Sequence, residues 1–515
     1  MVLSTAIDPT AGSRAAGLAL AFKDFSTGAS YLPQHAVLFT TVGTDKVGGF
    51  TDFNTGVTVT SLQQFIDTFG VTDGFYAARI LQPLNGGGIG SIPLTVFPIP
   101  VGSGTAAAGD ITPSVSAAAT ANATHYVTFN GRKEIDGRTA GFVVETGDVV
   151  ADIVTKMTAA INGMLYAPCS AVDSTTKVTA TVRWQGLTGN DVTIAIDTGE
   201  EAAGVTYAIT QPTGGAGTVS VATALANFGD VWYTQVLNTY GSGQYDALES
   251  ANGLPDPTSG GSGRWIATVV KPFVAFDGTN EATPATLKAL AASRKTDMTN
   301  ALVPAPNSPS MPCEIAAGAM VRTCKTFNNT PHGSVNNLSL FDVVDPTGNT
   351  IGDMNDYATR EDLFKNGIST VIWNASEGYK INDLITFRRP DDQSPLAVDW
   401  RYVRDIVGID FNFIYGYKLL EAANLIDKTL VNDDAVIGVT STIKPKDWKG
   451  LLYTYFDSLE NLAIIADASF SKESLQAQIS ATNPQRFETL LYYKRTAIAR
   501  VVATTAYAGF NFGEQ

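Results

Sequence analysis

The final third of the sequence, from Thr359 onward, constrains the fold most, because its predicted elements are clearly punctuated. Thr359 and Asp362 form a start typical of a capped helix, and Gly367 ends that helix. Residues 369–373 and 379–387 are rich in apolar and β-branched residues and predict a two-stranded ribbon.

A long helix is predicted over about residues 398–425, and Pro445 begins an amphipathic helix. The apolar face of the second helix recurs at helical spacing and comprises Trp448, Leu451, Leu452, Tyr455, Phe456, Leu459 and Leu462. Residues 487–493 predict a strand, and 499–512 predict an extended tail. Neither a nucleophile with a base nor a set of metal ligands interrupts this part of the sequence.

The first third predicts an α/β layer. A continuous apolar run at 36–39 is typical of a buried strand. Ser61 and Gln64 can cap a helix that Gly70 ends, and residues 78–82 predict a second strand. This β-α-β order indicates an α/β layer.

Residues 95–220 change in character, because Thr, Val, Ala and Gly dominate and charges thin out. Strands are predicted at 126–130, 141–145, 177–184, 191–197 and 205–210. One helix is predicted at 149–164, with Asp148 as its N-cap. The glycine-rich stretches at 85–90 and 213–217 would join this β-rich module to its surroundings. Pro93 and Pro98 prevent the helix that a phosphate-binding loop at 85–90 would need.

The α/β pattern then returns, with strands predicted at 231–237, 265–271 and 299–303. Thr283 and Pro284 begin one helix, and Pro312 begins another that carries Cys313 and Cys324 on its apolar stripe. We therefore predict a multidomain α+β protein. Its parts are an N-terminal arm (1–30), an interrupted α/β core (31–94 and 221–358), an inserted β-rich outer domain (95–220), a C-terminal α+β domain (359–498) and a C-terminal arm (499–515).

The composition argues against several classes of protein. Thirty-four Lys and Arg against 49 Asp and Glu give a net charge of −15, which disfavours binding to nucleic acid. No apolar run is long enough to span a membrane, and residues 1–10 have no signal-peptide pattern. Three cysteines do not make a disulfide framework, and a protein made in a reducing cytoplasm is expected.

The residues that carry chemistry are scattered. His35, His125 and His332 are isolated from each other and from the cysteines, so no zinc spacing exists. The acidic pairs Asp391-Asp392 and Asp433-Asp434 lie in sequence typical of solvated turns. We therefore expect no catalytic site, no metal and no cofactor, and we predict that the protein is not an enzyme.

Both ends of the chain carry alternating extended segments. The residues at these ends are Leu18, Leu20 and Phe22 in the first segment and Val501, Val502, Ala503, Thr504, Thr505 and Tyr507 in the second. An apolar strand at a terminus is either paired within its own sheet or donated to a neighbouring subunit, and both alternatives are open here. We predict strand exchange between subunits.

Several phrases, in this order along the chain, resemble the sheath subunit of contractile phage tails, especially the Mu-like type. They are residues 31–38, 60–62, 69–70, 360–371, 384–387, 398–405 and 483–487. The order holds from about residue 30 to the end, and the inserted domain departs most in composition.

The resemblance implies a structural subunit that stacks as hexameric rings in a helical sleeve around a tail tube. Its partners would be further copies of itself, the tube protein, the baseplate and the tail terminator, and its location would be the virion. Contraction of the sleeve would drive the tube through the host envelope for genome ejection. Lys444, Lys446 and Lys449 flank the start of the Pro445 helix and are candidates for facing an acidic tube, with simple solvated lysines as the alternative.

Three other functions remain open on the sequence. The same subunit could serve a phage-derived bacteriocin or an injection system. The α/β core could support a hydrolase or a transferase. The chain could also be a β-rich receptor-binding tail protein, whose residues 95–220 would bind a carbohydrate or a protein ligand.

Overall fold

The computed structural model describes residues 31–85, 91–134, 137–256, 259–389, 400–437, 439 and 441–500. These residues divide into two compact units, which are described separately below. The larger unit contains Leu32–Tyr415 and residues 495–500, and the smaller contains Tyr31 and Gly416–Lys494.

The helices and strands are numbered in chain order. The α-helices are α1 (Leu62–Phe69), α2 (Asp73–Leu81), α3 (Val150–Gly163), α4 (Ala222–Ala226), α5 (Tyr245–Asn252), α6 (Pro284–Ala291), α7 (Pro312–Asn329), α8 (Tyr357–Lys365), α9 (Phe411–Asn424), α10 (Pro445–Asn461) and α11 (Ala468–Ser474). The strands are β1 (Ala36–Thr40), β2 (Val57–Val59), β3 (Leu94–Pro98), β4 (Gly102–Thr105), β5 (Ala108–Ser114), β6 (Ala123–Phe129), β7 (Thr139–Val144), β8 (Cys169–Asp173), β9 (Val178–Val182), β10 (Ile194–Asp197), β11 (Thr206–Thr213), β12 (Ala216–Thr218), β13 (Gln235–Leu237), β14 (Val274–Thr279), β15 (Asn300–Pro304), β16 (Thr370–Asn374), β17 (Gly378–Asp383), β18 (Thr429–Leu430), β19 (Thr442–Ile443), β20 (Gln476–Ile479) and β21 (Phe487–Leu490). The mixed α+β class predicted from the sequence is confirmed.

The larger unit is built on a six-stranded sheet in the order β15-β14-β13-β1-β3-β2. Its strands are parallel except for β2, which runs antiparallel to β3. Strand β1 is buried on both faces: Ala36 and Leu38 pack with one hydrophobic cluster, and Val37 and Phe39 pack with the other. Burial on both faces explains the continuous apolar run in the sequence.

Two predicted strands are wrong. Residues 78–81 are the end of α2, and Gln82 begins a short 3-10 helix. Helix α2 begins where the Thr72 hydroxyl accepts a hydrogen bond from the backbone N–H of Phe75 at 3.2 Å. Most of α2 is buried, so it lacks the polar face that would have distinguished a short helix from a strand. Residues 265–271 are not a strand either, because Val270 has φ of +42°, and the strand is β14, after Pro272.

The inserted part of the larger unit forms a four-stranded sheet (β11-β5-β9-β8) and a three-stranded sheet (β10-β6-β7), with α3 packed against strands of both. The five strands predicted between residues 95 and 220 are present, and β3, β4, β5, β8 and β12 were missed. Asp148 is not the N-cap of α3. The helix starts after Val149, whose N–H is bound by the Asp152 carboxylate at 3.1 Å, while Asp148 binds Lys156 at 2.7 Å.

The chain enters and leaves this insertion through one antiparallel stem. Strands β4 and β12 pair, with Thr105 opposite Ala216 and Gly102 opposite Thr218. Strand β3, which immediately precedes the stem, belongs to the six-stranded sheet.

A buried ionic cluster joins the insertion to the core. Glu314, in the first turn of α7, is fully buried and pairs with Arg138 and with Arg132, the latter at 3.1 Å. Arg138 also lies over the ring of Tyr76 at 4.3 Å. Burial alone would raise the pKa of Glu314, but Arg138 and then Arg132 lower it, to about 2, so the carboxylate stays ionised and paired.

The prediction of a helix start at Thr359 is also wrong by three residues. The N-cap of α8 is Asp356, whose carboxylate accepts from the Thr359 N–H at 3.1 Å. The ribbon formed by β16 and β17 is present as predicted, with Trp373 opposite Tyr379. Within the described residues, the long helix predicted from 398 is helical from Arg404. It begins as a π-helix, Arg404–Asp410, and continues as α9.

The smaller unit confirms the amphipathic helix that begins at Pro445. Trp448, Leu452, Phe456 and Leu459 of α10 are buried. Gly416 permits a close approach to Tyr455, whose hydroxyl would lie 2.5 Å from a β-carbon at that position. The strand predicted at 487–493 is present as β21, which pairs with β20.

Candidate functional site

The residues predicted to exchange strands lie outside the described residues. This holds for Leu18, Leu20 and Phe22 and for Val501, Val502, Ala503, Thr504, Thr505 and Tyr507. The structure does describe the base of each arm, where the chain joins the larger unit. The bases consist of residues 31–34 and 495–500.

The base of the N-terminal arm is held by Leu32 and Gln34. Leu32 is 3% exposed, and its N–H donates to Oδ1 of Asn412 at 2.7 Å. The Gln34 side chain is buried, and its Oε1 accepts from Nε2 of Gln235 at 2.9 Å. Burial makes both hydrogen bonds costly to break without replacement.

The base of the C-terminal arm is held by charge. The guanidinium of Arg495 donates to both carboxylate oxygens of Asp410, at 2.7 and 2.5 Å. Arg404 donates to the backbone carbonyl of Thr496 and, at 2.9 Å, to its hydroxyl. Bidentate arginine–carboxylate pairs of this kind fix orientation as well as position.

Both bases meet the same helical segment, residues 404–412, which we call the π-segment. Its first seven residues are π-helical, and Asn412 follows in the first turn of α9. Gly408 lies so close to Pro331 that a β-carbon there would be 2.2 Å from the carbonyl oxygen. Single π-helical turns occur often at functional positions, because the widened turn redirects side chains.

A groove of about 710 Å³ lies where the described chain ends at Arg500. Tyr357, Phe364 and Tyr402 line it together with charged residues. Arg500 lies 3.3 Å from the centre of the Tyr402 ring and 3.5 Å from the Asp383 carboxylate. Burial raises the pKa of Asp383, and Arg500 counteracts part of that rise.

The ribbon beside this groove has edges that are partly occupied. The outer edge of β17 bonds to residues 337–340, since Asn337 N–H donates to Ile381 and Leu340 N–H donates to Tyr379. On β16, the side chain of Asn355 bonds to both backbone groups of Trp373, at 3.2 and 2.9 Å. Such contacts protect an edge from unwanted pairing.

The three tube-facing candidates are not equivalent. The amine of Lys444 donates to the Ala435 carbonyl, and the amine of Lys446 donates to the Asp433 carbonyl at 2.9 Å. Lys449 is half-buried in the first turns of α10. Two of the three lysines therefore bind the loop that precedes their helix.

The carboxyl ends of the parallel strands, where α/β proteins usually bind ligands, are filled by the protein itself. Asp73 accepts from Thr41 at the end of β1 and, at 2.8 Å, from Thr188 of the insertion. Asp277 accepts from the Tyr245 hydroxyl at 2.5 Å, and burial raises its pKa to about 7. These carboxyl groups are buried and already bonded, so this edge offers no open catalytic pair of carboxylates.

Among the described residues, no three His, Cys, Asp or Glu side chains are arranged to hold a metal ion. Nor does the described part of the chain contain a helix long and apolar enough to cross a membrane.

The sequence analysis missed the residues that hold the arm bases: Arg404, Asp410, Asn412 and Arg495. A signal for them was present, because charged and amide side chains interrupt an otherwise apolar helix at 404–412. Buried charged residues are almost always paired, so this pattern indicates partners elsewhere in the chain.

No protein-family model matches the sequence. No curated protein matches it significantly either. Solved structures do resemble it over nearly the whole chain. One is the helical sheath of the anti-feeding prophage in its contracted state, with a TM-score of 0.45 and 12% identity over 96% of this chain and 98% of that chain.

Another is a chain in the baseplate structure of the anti-feeding prophage, with a TM-score of 0.44 and 11% identity over 96% and 99% of the two chains. A third is a chain of the PVC sheath complex of an extracellular contractile injection system, in its contracted state, with a TM-score of 0.42 and 8% identity over 97% and 98%. These solved chains come from contractile systems, the class that the sequence phrases resemble. At these identities and scores, function has to be argued from this chain's own residues.

Proposed function

We propose that this protein is the structural subunit of a contractile sheath. It polymerises as stacked hexameric rings around a tail tube and shortens to drive the tube through a host envelope for genome ejection. Its partners are further copies of itself, the tube protein, the baseplate and the tail terminator, and its location is the virion tail.

The observation that carries this proposal is the anchoring of both arm bases in the larger unit. The Leu32 N–H is bound by a buried amide, and Arg495 is bound by a bidentate ion pair, so both bases are fixed in position. Strand exchange between subunits needs firm bases beside the segments that the sequence predicts to be extended, because a donated strand must leave in a defined direction. The ordered sequence phrases from about residue 30 onward add independent support.

The proposal divides the chain as the sequence suggested. Residues 1–30 and 499–515 are arms, 31–94 with 221–358 are a core, 95–220 contain the outer domain, and 359–498 are the sheath domain. The outer domain itself follows β3, because residues 94–98 pair within the core sheet. The heterologous contacts between copies would not close on themselves, and they would propagate into a helix. Contraction would be a change between two packings of nearly rigid subunits.

A sheath in a phage-derived bacteriocin or injection system is the alternative. The subunit's role is the same in both, and the genes beside this one distinguish them. An enzyme built on the α/β core finds no support at the filled carboxyl edge of the sheet.

The test is negative-stain electron microscopy of the full chain and of a chain truncated after Arg500, with thermal unfolding measured on both. We expect tubes or rings from the full chain and monomers from the truncation, with the same unfolding temperature. Full chains that stay monomeric at every salt concentration, or a truncation that assembles equally well, would contradict the proposal.

The tube-facing lysines are tested in the same assay, in the presence of the tube protein. Because Lys444 and Lys446 bind their own loop, Lys449→Glu is the informative change. We expect it to weaken assembly on the tube while leaving assembly of the sheath alone intact. Unchanged assembly on the tube would leave the lysines as solvated surface charges.

A further inference from the structure

The two arm bases are attached to neighbouring residues of one helical segment. Asn412 binds the backbone of Leu32, and Asp410 binds the side chain of Arg495. Only Phe411 separates the two anchoring residues in the sequence. Chain positions that are hundreds of residues apart therefore depend on the same turn.

The anchoring side chains have little freedom to move independently. Asp410 is 2% exposed, and Arg404 and Asn412 are each 5% exposed. The Asn412 amide uses both of its ends, since Oδ1 accepts from Leu32 while Nδ2 donates to the Gly408 carbonyl at 3.0 Å. A shift of the π-segment that suits one base therefore changes the bond to the other.

Arg404 extends this network to a third part of the chain. Its guanidinium donates to the His332 carbonyl at 3.0 Å and to the Thr496 hydroxyl at 2.9 Å. Residues 331–332 also touch the π-segment through the close approach of Gly408 to Pro331. The segment is thus held both by the loop after α7 and by the two arm bases.

We propose that the π-segment is a shared clamp that couples the two arms, so that loosening either base loosens the other. Its importance rests on the proposed function, in which each arm joins a different copy of this chain. Within one subunit, the clamp would then transmit a loosening of the contact with one neighbouring copy to the contact with the other neighbouring copy. Asp410, Asn412 and Arg404 are positioning residues in this process.

Thermodynamic linkage makes the coupling reciprocal, so each base is changed in turn and amide exchange is measured at the other base. Amide hydrogen exchange is measured on the full chain, kept dilute enough to remain monomeric. Arg495→Gln removes the ion pair at the C-terminal base. We expect the Leu32 amide to exchange about tenfold faster, within the range of ordinary coupling between sites.

The matched control is Lys494→Gln. Lys494 also forms an ion pair, with Asp467 at 2.8 Å, but that pair is exposed and does not involve the π-segment. We expect no change in exchange at Leu32. The reciprocal variant, Asn412→Ala, is expected to speed exchange at the amides of residues 495–500.

A local effect alone overturns the proposal: faster exchange at 495–500 in Arg495→Gln with the Leu32 amide unchanged. Should that variant fail to fold, Thr496→Val takes its place. It removes the hydroxyl that Arg404 binds without leaving a buried charge unpaired, and its expected effect at Leu32 is smaller and in the same direction. The Leu32 readout alone decides the result for this variant as well.

The proposed function and this coupling can fail separately. If the wild-type chain never assembles, but Arg495→Gln speeds exchange at Leu32, the coupling is supported and the sheath function is contradicted. If the chain assembles, but the amides of the two bases exchange independently, the sheath function is supported and the coupling is contradicted.

Discussion

At the scale of single residues, Gly408 is the most restrictive position in the π-segment. Gly408→Ala would place a β-carbon 2.2 Å from the Pro331 carbonyl, so either the segment or the loop has to shift. We expect a loss of about 1–3 kcal/mol in the free energy of unfolding, the usual cost of overpacking. Denaturant unfolding measures it.

The matched control is Gly450→Ala in α10, where a β-carbon would meet nothing within 4 Å. Alanine there is expected to stabilise by up to about 1 kcal/mol, because it favours the helix more than glycine does. If Gly408→Ala proved as harmless as Gly450→Ala, the tight packing of the π-segment would be disproved.

The anchoring residues show how far a site of this kind can be predicted. Asp410 in an apolar helix indicates a buried charge that needs a partner. The partner, Arg495, lies 85 residues away, and nothing local in the sequence selects it from the other cations. Sequence reasoning therefore finds that an anchor exists, whereas only the fold shows what it holds.

At the scale of elements, the helices with a clear polar face were predicted well. Helices α1 and α10 begin and end close to the predicted residues, because the sequence shows their first residues and their apolar stripes. Helix α7 begins at the predicted Pro312, although residues 313–321 are all buried. Helix α2 was missed because it is buried on nearly every side, and apolar residues then fit a strand equally well. The π-helical turn was missed for another reason: the spacing of its side chains does not distinguish a π-helix from an α-helix.

The start of α8 gives an element-scale prediction, since the structure moves the cap from Thr359 to Asp356. Asp356→Ala removes the carboxylate that accepts from the Thr359 N–H, and we expect a loss of about 1 kcal/mol. Thr359→Ala leaves that backbone donor in place and should change the unfolding free energy by less than about 0.5 kcal/mol. A larger loss in Thr359→Ala than in Asp356→Ala would contradict this prediction and make Thr359 the N-cap.

At the scale of the whole molecule, the insertion and the core of the larger unit share one hydrophobic cluster. The cluster extends from β1 and α7 into the strands of the insertion. Tyr76 of the core lies 5.9 Å from Trp184, measured between ring centroids, and its hydroxyl donates to the Tyr166 carbonyl at 2.8 Å. With the paired Glu314 cluster, these contacts indicate that the two parts unfold together.

A sheath subunit is expected to assemble without residues 95–220, whereas a receptor-binding protein would lose its function with them. The structure changes how that deletion has to be made. The paired stem places Thr105 opposite Ala216, so residues 106–215 can be replaced by Asn-Gly, a two-residue turn that suits an antiparallel pair. The cut then exposes Tyr76 and its apolar neighbours to water, where they promote aggregation.

We therefore expect the simple deletion to aggregate, and the same deletion with Tyr76→Gln to be more soluble, as measured by sedimentation. If the soluble variant forms tubes, the insertion is dispensable for assembly and serves only the stability of the core beneath it. If it stays monomeric with its arms intact and its fold unchanged by circular dichroism, the insertion takes part in contacts between subunits. Its role as a separate outer domain would then be wrong, because assembly would depend on a surface that residues 106–215 alone provide.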